Sequence, residues 1–77
     1  MKPDLGQKMR DGLEAYAIRG DTFADDWLVV VKGYEPKVAA SIIDRLARRG
    51  YIEYGVSART GWLTPEGIQA AKEAERA

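Results

Sequence analysis

Between positions 4 and 19, Leu5, Met9, Leu13 and Tyr16 with Ala17 recur every three or four residues, the spacing of one face of an α-helix. Asp4 stands before them as an N-cap, Gln7 takes the capping-box position and Gly20 supplies a C-terminal stop. Gly6 and Gly12 each cost such a helix about 1 kcal/mol relative to Ala, so it depends on tertiary contacts. A second helix is predicted to begin at a Thr22 cap, to carry Asp25 and Asp26 in its first turn and to end at Lys32 before Gly33. It would bury Phe23, Trp27, Leu28 and Val31. The run from Trp27 to Val31 also suits a buried strand, because consecutive valines favour a pleated surface; the agreeing caps favour the helix. Residues 21 to 23 can add a short third strand beside a later hairpin.

Pro36 suits the first position of a third helix, which runs to Arg49 with Gly50 as its C-terminal stop. Val38, Ala39, Ile42, Ile43 and Leu46 fall at core spacing. The remaining face carries Lys37, Ala40, Ser41, Asp44, Arg45 and Arg48. Small side chains permit close approach to a base-pair edge, Arg pairs bidentately with guanine, and Lys reaches phosphate. The same mixture also describes an ordinary solvated face, since cations near a helix C-terminus are favoured by the dipole.

Residues 51 to 54 alternate as a strand and residues 61 to 64 read as the returning strand, with a turn that places Arg59 near its tip. An arginine there can meet phosphate or enter a minor groove. Thr64 then caps a fourth helix with Pro65 at its first position, and Leu63 and Ile68 stand where a hydrophobic staple would form. Ile68, Ala70, Ala71 and Ala74 make a thin stripe that could pack on the first helix or meet a second subunit.

Composition narrows the chemistry. At 77 residues the chain is read as one domain, residues 1–77, of limited core. With no Cys and no His, disulfides, zinc sites and the usual general base are excluded or made improbable, and no cofactor is expected. The carboxylates form no catalytic constellation and no phosphate-cradling glycine loop is present, so the chain is not read as an enzyme. No apolar run approaches signal-peptide or membrane-spanning length, which gives the expectation of a cytoplasmic protein with no membrane partner. Twelve basic and twelve acidic residues cancel overall, but residues 37 to 59 carry five cations against two acids. That local excess of positive charge falls on the third helix and the hairpin.

The stretch Ile42-Ile43-Asp44-Arg45-Leu46-Ala47-Arg48-Arg49-Gly50-Tyr51-Ile52, followed by Trp62-Leu63-Thr64-Pro65-Glu66-Gly67, resembles the recognition helix, wing and closing segment of winged helix-turn-helix regulators. The multiple-antibiotic-resistance regulator type and related small bacterial and phage regulators are the nearest in pattern. The resemblance implies an α+β, mostly α fold, with a three-helix core, a two- or three-stranded β-wing and a C-terminal helix. It further implies a sequence-specific DNA-binding module or small transcriptional regulator on double-stranded DNA, possible as a homodimer. Lys37, Ala40, Ser41, Arg45, Arg48 and Arg49 would face the groove or phosphates, and Arg59 would be the wing contact. A second reading is a winged helix that docks on a protein, supported by zero net charge and by Tyr34, Tyr51 and Tyr54 as surface aromatics.

Overall fold

The computed structural model describes residues 6–18, 23–54 and 61–76, with the side chains of residues 75 and 76 left aside. Its elements are α1 (Gln7–Ile18), α2 (Ala24–Lys32), α3 (Pro36–Arg48), β1 (Ile52–Glu53), β2 (Trp62–Leu63) and α4 (Pro65–Arg76). The fold is α+β and mostly α: four helices and a two-stranded antiparallel sheet in which Ile52 pairs with Leu63 and Glu53 with Trp62. The expected Asp4 cap and the Gly20 stop lie outside the described residues, as does Thr22. No third strand occurs among the described residues.

Helices α1, α2 and α3 pack pairwise, α4 lies across α1, and the hairpin sits between α1, α3 and α4. Leu13, Leu28, Ile42 and Leu46 are the largest fully buried side chains; each contributes roughly 1.5–3 kcal/mol by leaving water. Ala15 is fully buried while Ala17 is exposed, so the core face of α1 turns further than its spacing suggested. On α2, Ala24, Trp27 and Leu28 face the core. Phe23 and Val31, both expected inside, are exposed, and Val30 is 80% exposed. Among the described residues, this nine-residue helix packs chiefly against α1 and α3.

The helix ends show which local signals operate. Phe23, not Thr22, is the α2 N-cap and makes no side-chain cap bond. Gly33 ends α2 at φ 78°, a left-handed conformation in which a Cβ is penalised. Its N–H donates to the Val29 carbonyl and that of Tyr34 to the Leu28 carbonyl. Helix α3 ends at Arg48, one residue before the expected end, with Arg49 as its C-cap and Gly50 following at φ 76°. At α4, the Gly67 N–H donates to Thr64 Oγ1 at 3.0 Å, while the Thr64 hydroxyl donates to the Gly50 carbonyl at 2.6 Å. Thr64 thus caps α4 and ties it to the end of α3. Ile68, the expected staple partner of Leu63, is 44% exposed. Ala70 is buried and Ala71 packs on the core, so this part of the stripe serves the fold of one chain.

A buried carboxylate joins α1 to the turn before α3. Asp11 is 6% exposed; it accepts the Tyr34 hydroxyl at 2.6 Å and Gln7 Nε2 at 2.9 Å. Lys32 Nζ lies 3.8 Å from Asp11, 2.8 Å from Glu14 and 5.6 Å from the centre of the Trp27 ring. The hydrogen bond to Glu14 holds the Lys32 ammonium above its ordinary value. Gln7 therefore braces Asp11; its expected capping-box partner, Asp4, lies outside the described residues. Tyr34 is half-buried and bound to α1, and Tyr51 is half-buried against the core. Neither is the free surface aromatic that the sequence suggested.

Donating to Asp11 keeps the Tyr34 phenol protonated, and burial and the carboxylate charge add to this, pushing its pKa from 10.0 to about 12. The folded value lies above the unfolded one, so this contribution to stability is whole below pH 10 and lost as pH rises towards 12. Phenolate absorbance is expected to show a late step near pH 12 that Tyr34→Phe removes. A titration complete well below that pH, unchanged by the substitution, contradicts the bond.

Candidate nucleic-acid interface

Helix α3 is inserted so that Ala39, Ile42, Ile43 and Leu46 face the core. Its other residues at a turn of about 100° each then fall in three rows. Ser41 and Arg45 lie along one edge, Lys37, Asp44 and Arg48 along the middle, and Ala40 and Ala47 along the opposite edge. Lys37, Ala40, Ser41, Arg45, Arg48 and Arg49 are all exposed, and Ala47 is half-buried. Five of the seven residues singled out from sequence, Lys37, Ala40, Ser41, Arg45 and Arg48, therefore share one outward surface; Arg49 is exposed just past the end of α3, and Arg59 lies outside the described residues.

Two recesses border that surface. On the Ser41–Arg45 edge, α1 approaches α3 and leaves a cleft of about 180 Å³, whose walls carry Lys8, Lys37, Ser41 and Arg45 over a floor of Met9 and Ile42. Among the described residues no carboxylate lines it. Three cations beside one hydroxyl make a place of positive potential where phosphate oxygens are favoured. The one acid of the middle row, Asp44, accepts from Arg48 Nε at 3.0 Å, with side chains 53% and 78% exposed respectively. Such an exposed i,i+4 pair contributes about 0.3–0.5 kcal/mol, so it does not hold Arg48 back from a phosphate.

On the Ala40–Ala47 edge, the hairpin forms a wider, shallow recess of about 440 Å³ lined by Ala47, Ile52, Glu53, Tyr54 and Trp62. Trp62 is 53% exposed and Tyr54 41% exposed. Strand alternation accounts for Trp62: side chains of neighbouring residues point to opposite faces, and Leu63 is the one that packs against the core.

Lys8 and Trp62 are the residues that sequence reasoning missed. Nothing in the spacing of Lys8 reveals that α1 runs beside α3. The exposure of Trp62 follows from the alternation of β2 and could have been read from it. Among the described residues no group of three or more His, Cys, Asp or Glu side chains is placed to hold a metal ion, and no helix is long and apolar enough to cross a membrane. Comparison of the chain with protein families, with curated proteins and with solved structures gives no match.

Proposed function

We propose that the chain is a winged helix-turn-helix domain, a DNA-binding module or small transcriptional regulator that grips double-stranded DNA. Helix α3 enters the major groove, and the hairpin meets the adjacent backbone or minor groove. The observation that carries this reading is the joint exposure of Lys37, Ala40, Ser41, Arg45 and Arg48 on one face of α3, with Lys8 added from α1. The connection from α2 to α3 spans Gly33, Tyr34 and Glu35, a length that suits a helix-turn-helix. Arg45 and Ser41 address base edges. Lys8, Lys37, Arg48 and Arg49 hold phosphates and set the register. A lone module of this kind buries about 600–1,000 Å² on DNA, so tight specific binding calls for a second module or a second subunit.

A protein-docking function is the second reading. Its support lies in Tyr54 and in Phe23, Val30 and Val31 at and along α2, all exposed.

Selection from random duplexes, followed by anisotropy titration, tests the DNA reading. Arg45→Ala is expected to weaken the selected duplex by about 1–3 kcal/mol, roughly 5- to 150-fold, and to relax preference at one position. Lys8→Ala should weaken all duplexes alike. If neither substitution changes binding to any duplex, the groove assignment is abandoned.

A further inference from the structure

We infer that the Trp62–Tyr54 shelf receives an unpaired nucleobase, so that the domain binds single-stranded or locally opened DNA as well as the duplex held by α3. The proposal rests on the DNA reading of α3 only for its phosphate side. The shelf itself is defined by the recess of about 440 Å³, by the exposed Trp62 and Tyr54 rings, and by Ala47 at the edge of α3.

A base inside a duplex has both ring faces covered by its neighbours. Within a continuous duplex no base offers a face to a protein aromatic, whereas an unpaired base does so whatever its sequence. The charges around the shelf distinguish base from backbone. Glu53 stands directly across the ladder from Trp62 and also lines the recess. Its carboxylate repels a phosphate but can accept an N–H from a base's pairing edge, since each of the four bases carries at least one there. Arg48 and Arg49 follow Ala47 and are exposed, so phosphates flanking a stacked base find cations at the end of α3. An apolar side chain in the same place would desolvate Glu53 and return no hydrogen bond. The chemistry therefore favours a nucleobase over an apolar protein segment.

The full chain is titrated with an oligothymidylate of about twelve nucleotides and, separately, with a blunt duplex of equal length, a size within the usual site range for single strands. Trp27 is 8% exposed and Trp62 53%, so a ligand stacking at the surface quenches Trp62. Single strands are expected to quench this emission. Trp62→Ala should weaken their binding by about 5- to 150-fold, the loss of one stacked base, while Trp62→Phe, which keeps a ring, should stay within about threefold. Trp62→Ala should lower duplex affinity by a clearly smaller factor than single-strand affinity. Arg45→Ala should show the opposite pattern, losing duplex binding and sparing single strands. Circular dichroism melts of each variant confirm that the fold persists.

Single strands that fail to bind, or that bind equally well to Trp62→Ala, overturn the shelf even where duplex binding depends on Arg45. Single strands that depend on Trp62 in a protein that ignores duplexes uphold the shelf and remove the duplex reading instead.

Discussion

Duplex binding is expected to fall by about two to three decades between roughly 50 and 200 mM salt, because binding releases the counterions condensed on each phosphate that a cation neutralises. Four cations are placed to do this: Lys8, Lys37, Arg48 and Arg49. With a logarithmic slope of about −0.9 per phosphate contact, four contacts give a drop at the lower end of that range. Removing one phosphate contact, as in Lys8→Ala or Arg49→Ala, should lower the slope by about one. Anisotropy titrations across a salt series measure both quantities. An affinity that hardly responds to salt rejects a phosphate-dominated interface and favours docking through the apolar side of α2.

The zero net charge of the chain does not oppose this expectation. At 0.1 M salt the Debye length is about 10 Å, so acids on a remote face contribute little to the field at α3. What matters is the local balance. Asp44 is paired with Arg48, and among the described residues the charged side chains lining the cleft beside it are all cations.

The elements that could be read from the sequence are those fixed by local chemistry. The caps around α3, Pro36 before it and Gly50 after it, and the Thr64–Pro65 start of α4 are each set by residues within a few positions. The outward face of α3 followed from helical spacing alone, and all of its expected members are exposed. What failed was anything decided by a neighbour far along the chain. Val31 has core spacing but is 57% exposed, and Tyr34, which its spacing leaves on the surface, donates its hydroxyl to Asp11, 23 residues earlier. Gly12 had only a helix cost in the sequence. In the fold, a Cβ there would lie 2.6 Å from Ile42 Cγ2 and 2.7 Å from Leu46 Cδ1, so glycine is what lets α1 and α3 meet. Lys8 joined the candidate site through that same close approach. Trp62 is a different case, since its exposure was available from strand alternation.

Gly67→Ala should destabilise the protein by about 3 kcal/mol, although Ala is the better helix former by about 1 kcal/mol. A Cβ at position 67 would fall on the Tyr51 carbonyl oxygen and 2.8 Å from its carbon, with Leu63 Cδ2 at 3.2 Å. The obstacle is backbone, which cannot swing aside as a side chain can. Relief requires the first turn of α4 to move away from the start of β1. That movement pulls on the Thr64 N–H bond to the Tyr51 carbonyl and on both bonds of the Thr64 hydroxyl. Loss of the cap costs about 1 kcal/mol, loss of the backbone bond about 1 kcal/mol, and the overpacking itself about 1–3 kcal/mol; the gain in helix propensity offsets only part of this. For a domain of this size the melting temperature should fall by roughly 12–24 °C, at about 4–8 °C per kcal/mol, as followed by circular dichroism. An unchanged or higher melting temperature would mean that α4 does not sit against Tyr51. The corner is also where the hairpin is fastened, so emission from Trp62 should change before the α1–α3 core unfolds.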